Sequence, residues 1–148
     1  MKLHQKVQVW IVNRTSTGDR VLLLKVIPKR GGGWHPITGS VEPEEVSLPN
    51  GYAIAARRET EEETGIKSSL GQWVDLNLEF EFDGRWGRAK EHAFAFILSE
   101  YKGKIVLDPS EHLEMKWVPI GSAAGELGFE SQRSALEAVS CYLLKRDE

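Results

Sequence analysis

Apolar and polar positions alternate in three places along the chain, and each alternation predicts a strand. Residues 5–13 put Val7, Val9 and Ile11 on one face. Leu76, Leu78, Phe80 and Phe82 alternate strictly with polar neighbours, and Phe94, Phe96 and Leu98 repeat the pattern. Val21-Leu-Leu-Leu24 is an unbroken apolar run, as expected of a strand covered on both sides. Thr15-Ser-Thr-Gly-Asp19 reads as a turn, and Asp83-Gly84 opens a loop joining the second and third alternating segments. A short strand around Met115–Val118 ends at Pro119. Two helices complete the set. Asn50 as N-cap and Gly65 as C′ residue bound the first at about 51–64. Ser131 is the expected cap of the second, which turns Ala135, Val139, Tyr142 and Leu143 inward. This order predicts an α/β fold with a mixed sheet covered on both faces. With no linker, repeat or low-complexity segment, residues 1–148 read as a single domain.

The first helix ends in an acidic run, Arg57-Arg-Glu-Thr-Glu-Glu-Glu-Thr-Gly65. At about 3.6 residues per turn, Glu59, Glu62 and Glu63 project from one face. Like charges at such spacings cost a helix roughly 0.2–0.5 kcal/mol per pair. Water can solvate such a face, or a hard divalent cation can convert the repulsion into ligation.

The surrounding residues favour the cation. Gly39-Ser-Val-Glu-Pro-Glu-Glu45 and Arg58-Glu-Thr-Glu-Glu-Glu-Thr-Gly-Ile66 together resemble the signature of the Nudix hydrolases. That signature is a Gly, a Glu six residues later, then Arg-Glu-x-x-Glu-Glu-x-Gly and an aliphatic residue. The chain departs from it in five extra residues between Glu45 and Arg58, in or near Val46–Gly51, and in Thr60 at a position usually aliphatic. The insertion precedes the helix and leaves the glutamate spacing intact, so a longer loop at the rim of the site is expected. The resemblance implies a Nudix-type α/β/α sandwich and a phosphoanhydride hydrolase using Mg²⁺, with Mn²⁺ as a substitute. It also implies that Glu59, Glu62 and Glu63 are metal ligands, that Arg58 orients them, and that Gly39 offers its carbonyl.

Further stretches narrow the substrate. Trp34-His-Pro-Ile-Thr-Gly-Ser-Val-Glu42, Glu111-His-Leu-Glu-Met-Lys-Trp117 and the start of the last helix are similar to those of bacterial dihydroneopterin triphosphate pyrophosphatases. That resemblance implies release of pyrophosphate from a pterin triphosphate in folate biosynthesis, and Glu111 as a further metal ligand or base. Lys25, Lys29 and Arg30 can reach a phosphate tail, or be plain surface charge. Trp34, His35 and Phe80 can line a pocket for a flat ring, or belong to the core. Trp86 is a candidate lid. His92 and His112 have no partner at zinc spacing.

A general (d)NTP pyrophosphatase is the nearest alternative, since the same site would take a purine triphosphate. RNA 5′-end pyrophosphohydrolysis is a further alternative, but no basic cluster in the chain supports it. A Nudix module that only binds nucleotide would be expected to have a broken glutamate set, and here all three are present. A net charge of −3 leaves no footprint for nucleic acid or an anionic membrane, so a small-molecule triphosphate is the expected partner. No apolar run is long enough for a membrane span. Exposed strand edges allow a homodimer. One cysteine, Cys141, excludes an intrachain disulfide, and with no signal peptide visible the expected compartment is cytoplasmic.

Overall fold

The computed structural model describes residues 3–148. The N-terminal alternation forms β1 (His4–Thr15), which turns at Ser16-Thr17 into β2 (Gly18–Val26). The short strands β3 (Trp34–His35) and β4 (Ile37–Ser40) follow a 3-10 turn at Pro28–Arg30. A four-residue helix, α1 (Pro43–Val46), precedes the acidic helix α2 (Gly51–Thr64). The long hairpin β5 (Gln72–Gly84) and β6 (Gly87–Ser99) turns through Arg85-Trp86. Then come β7 (His112–Pro119), a 3-10 segment at Ile120–Glu126, and α3 (Glu130–Arg146).

The seven strands form one mixed sheet with the path β3-β2-β1-β6-β5, while β4 pairs with β1 and β7 with β2. Among the described residues only β1 and β6 run parallel, in register from His4 opposite Ala89 to Arg14 opposite Ser99. The expected α/β/α sandwich with a mixed sheet is therefore observed. Helix α2 lays Ala55 and Ala56 on Val7, Val9, Ile11, Phe94, Phe96 and Leu98. Helix α3 lays Ala135, Leu136, Val139 and Leu143 on the opposite face, against Trp10, Val12, Ala93, Ala95 and Ile97. Each large apolar side chain fully removed from water stabilises the fold by roughly 1.5–3 kcal/mol, so both faces contribute.

Helix α2 has the predicted bounds. Gly65 takes the left-handed conformation (φ 77°) and donates its N–H to the Glu61 carbonyl. Asn50 occupies the N-cap position without a side-chain cap bond. The last helix starts one residue before the predicted cap: Phe129 is the N-cap, and Ser131 lies inside the first turn. The extra residues after Glu45 form the end of α1 and an exposed turn leading into α2, away from the cleft described below.

Strand β5 carries a bulge. Its register against β6 shifts between Asp75 and Leu78, where Asn77 adopts φ 55° and its N–H bonds the Asp75 carboxylate at 2.8 Å. Asn tolerates that conformation better than most residues. Beyond the bulge Phe80 lies directly opposite Glu91. Among the described residues no helix is long and apolar enough to cross a membrane.

Candidate active site

Arg58 gathers the acidic run of α2. Its Nε and Nη2 each donate to a different oxygen of Glu45 at 2.9 Å, and Nη2 also donates to the Ser40 carbonyl at 2.8 Å. Nη1 reaches Glu59 at 2.9 Å and Glu62 at 3.2 Å. A two-pronged Arg–carboxylate pair fixes direction as well as charge. Glu45 also accepts the Glu42 backbone N–H at 2.9 Å, closing a capping box on α1. The guanidinium holds the Glu45 carboxyl below the usual carboxylate range. This chain of bonds ties α1, β4 and α2 together and sets the direction of the Glu59 side chain.

Glu59 reaches toward Gly39 of β4, and Glu63 toward His112 of β7. Glu59 packs on Gly39 so closely that a Cβ there would lie 2.5 Å from Glu59 Oε2. Real Cβ atoms do not make that approach, so a side chain at position 39 would have to displace the end of Glu59. Glu63 is 3% exposed; Oε1 lies 3.6 Å from His112 Nε2, and Oε2 is buried without a hydrogen-bond partner. Burial, together with the neighbouring Glu59 and Glu111 carboxylates, pushes the Glu63 carboxyl up to about 9. Burial also raises Glu59, against the pull of Arg58. His112 is buried as well, and desolvation pushes its imidazole below its ordinary value, toward the neutral form. Glu111 faces the pair and receives a hydrogen bond from Arg30 Nη1 at 2.9 Å.

Such an arrangement fits a hard divalent cation. Buried carboxylates that repel one another, one with an orphaned oxygen, are costly without positive charge nearby. Among the described residues no three side chains close into a finished ligand cage. Mg²⁺ does not require one, because it keeps several waters and takes one or two carboxylates plus substrate phosphates.

From these carboxylates a cleft of about 920 Å³ runs across the α3 side of the sheet. That volume falls in the range of small-molecule sites. Thr38 and Ser40 of β4 border the acidic end. Lys6 of β1, Glu91 of β6, and Phe80 and Phe82 of β5 line it further along, up to the hairpin tip at Arg85-Trp86. Phe129 and Gln132 supply part of the opposite wall. His35 is locked into that wall: one nitrogen meets the Gly32 carbonyl at 2.8 Å and the other the Gln132 amide nitrogen at 3.0 Å.

Of the residues singled out in the sequence, Gly39, Glu59, Glu63, Glu111, Arg30, His35 and Phe80 line this one cleft. Arg58 stands behind it. Glu62, expected to be a ligand, lies outside the lining, its side chain 57% exposed and paired with Arg58 at 3.2 Å. Lys25, Lys29 and Trp34 lie outside the lining. Lys25 pairs with Glu114 at 3.6 Å, and the Trp34 ring centre lies 5.8 and 4.2 Å from the ammonium groups of Lys25 and Lys116. Lys29 is exposed on the 3-10 turn. Trp86 forms the tip of the β5–β6 hairpin and is 73% exposed. Sequence reasoning missed Glu91, Gln132 and Lys6, and gave His112 no role. Their polar character reads as solvent-facing on a strand or a helix alike, and only the folded chain shows that Glu91, Gln132 and His112 are enclosed.

Comparison with known proteins agrees with this geometry. The family profile described as NUDIX domain matches residues 3–139. Among solved structures, an Ap4A hydrolase of C. elegans superposes with a TM-score of 0.82 at 21% identity, covering 97% of this chain and 99% of the other. The dihydroneopterin triphosphate pyrophosphohydrolase of E. coli superposes with a TM-score of 0.73 at 26% identity, covering 92% and 96%. In sequence, the octanoyltransferase of Myxococcus xanthus is 32% identical over 139 residues, which is 88% of this chain and 35% of that protein. The chain thus spans about a third of the length of the curated relative it matches.

Proposed function

The chain belongs to the Nudix family of hydrolases, and on that premise we propose that it releases pyrophosphate from the triphosphate of a flat bicyclic heterocycle, with dihydroneopterin triphosphate as the substrate. One observation carries the proposal: a crowded carboxylate end, Glu59, Glu63 and Glu111, opens directly into a cleft with aromatic side chains and polar groups beyond it. That layout matches a ligand with a polyanionic tail and a ring. The pterin enzyme of E. coli, among the solved structures the chain resembles, supports the choice of ring.

Glu59, Glu63, Glu111 and the Gly39 carbonyl would hold the divalent cation, with Glu62 adding charge from the solvent side. A divalent cation held there would supply charge neutralisation on the phosphates and make a water more acidic. The protein's own residues do the rest. Arg58 keeps the Glu59 carboxylate turned toward Gly39. Arg30, now on Glu111, is placed to meet phosphate oxygens and so to free the Glu111 carboxylate for the cation. His112, neutral and buried beside Glu63, bounds the inner wall and limits water there. The ring then lies toward Phe80 and Glu91. A purine triphosphate suits the same cleft, which makes a (d)NTP pyrophosphatase the second reading.

The test is release of pyrophosphate against orthophosphate, with Mg²⁺ and then EDTA. The panel is dihydroneopterin triphosphate, dATP, dGTP, ADP-ribose and a diadenosine polyphosphate. Pyrophosphate released fastest from the pterin, and abolished by EDTA, is the expected result. A purine-led profile would move the assignment to the second reading, and silence across the panel would leave a nucleotide-binding module.

A further inference from the structure

Three buried side chains on the α3 face of the sheet form a directed relay that ends in the cleft. Trp10 Nε1 donates to Gln8 Oε1 at 2.7 Å, and Gln8 Nε2 donates to Glu91 Oε1 at 2.7 Å. An indole N–H can only donate, so it fixes which end of the Gln8 amide is oxygen. The Gln8 nitrogen must then face Glu91, and Glu91 Oε1 must accept. Gln8 and Trp10 are fully buried and Glu91 is 4% exposed, yet Glu91 lines the cleft. Among the described residues no donor meets its second oxygen, which is not sealed from the cavity either. Burial raises the Glu91 carboxyl, while Gln8 and the nearby Lys6 pull the other way.

A carboxylate so placed is poorly explained by stability. Taking it out of water is costly, and one amide N–H does not compensate. It is short of donors on the side that faces the ligand space. Phe80 lies directly opposite Glu91 across the β5–β6 ladder, so an aromatic face stands next to the acceptor. The complementary ligand edge is one that presents two adjacent N–H donors beside a flat ring.

We propose that Glu91, oriented by the Trp10–Gln8 relay, selects the ring: it accepts hydrogen bonds from the ring N–H and exocyclic amine of a 2-amino-4-oxo pyrimidine, the edge shared by pterins and guanine. Adenine offers a bare ring nitrogen in place of the N–H, and hypoxanthine lacks the amine. A site built around such hydrogen bonds rejects analogues that leave its polar groups unpaired. The inference rests on the triphosphate-cleaving reading for its substrate class, but it is a statement about the ring end of the cleft.

Direct binding separates the two. Calorimetric titration with dGMP, dIMP and dAMP reads the ring site without any turnover. Expected is dGMP binding at least about tenfold tighter than dIMP or dAMP, equivalent to about 1.4 kcal/mol. In Glu91→Gln the ratio of dGMP to dIMP affinity should fall toward unity, with the melting temperature retained. In turnover, the matching change should appear in KM for dGTP relative to dITP rather than in kcat. Equal binding of the three monophosphates, a preference for dAMP, or a ratio unmoved by Glu91→Gln would overturn the assignment. Selective dGMP binding by a protein that cleaves no triphosphate would uphold it and reject the hydrolytic reading instead.

Discussion

Glu63 shows how one side chain carries both stability and chemistry. Its carboxylate is buried, lies beside two others and has an oxygen without a partner, so its charge is tolerated only with a cation in place. Glu63→Gln keeps the shape and removes the charge. Turnover should drop about a hundredfold or more, the scale seen when one transition-state contact is lost, with no loss in melting temperature. Near-normal Mg²⁺-dependent turnover in this variant would sink the assignment of the cluster. Gly39 offers an independent probe, because its requirement is for space alone. Gly39→Ala should displace Glu59 and lower kcat at least about tenfold while the protein stays folded, as circular dichroism and single-turnover rates would show. The acidic cluster was legible in the sequence because Glu59, Glu62 and Glu63 recur at helical spacing. Glu91 and Gln8 were not, since a polar residue on a strand reads as solvent-facing until its neighbours across the sheet are known, and Gln132 was not, since its contact with His35 joins segments far apart in the chain.

At the level of elements, α2 was the most legible because its signals are local: a 3.6-residue pattern ended by a glycine. Gly65 takes a left-handed backbone, in which an L side chain costs roughly 1–2 kcal/mol. Gly65→Ala should therefore destabilise by about 1 kcal/mol, whereas Asn50→Ala should stay within about 0.5 kcal/mol, since Asn50 makes no cap bond. Urea denaturation of both variants would check this pair, and a larger loss at Asn50 would contradict it. Strands β3 and β4 and helix α1 escaped prediction for a different reason. They are two to four residues long and owe their conformation to distant partners, such as Gly39 opposite Val7. The Ser131 cap was misread because Phe129 already holds the extended backbone that starts α3.

For the molecule as a whole, the buried carboxylates set a pH dependence that can be signed. Glu63 binds its proton up to about 9 in the folded, metal-free protein, against an ordinary 4.5. The folded state then holds more protons than the unfolded chain between those values. Its contribution to stability is complete below the lower one and is lost as pH rises through the upper one. Burial moves Glu59 and Glu91 in the same direction. In EDTA, the melting temperature of the wild type should therefore fall relative to that of Glu63→Gln as pH is raised from about 5 to about 9. A constant difference between the two proteins would contradict the burial of that charge.

The parallel ladder between β1 and β6 has a consequence in time. The two strands that form the middle of the sheet are separated by about half of the chain, β6 beginning only at Gly87. The first hairpin can close early, but one long edge of β1, flanked by Val7, Val9 and Ile11, must wait for its mate. Pairings between distant segments are slow, because loop-closure entropy must be overcome before the contacts reward it. During synthesis on the ribosome, that edge stays open until Ser99 has left the exit tunnel. Chaperone dependence, and aggregation of chains truncated before β6, should follow from this ordering rather than from any weakness of the finished fold.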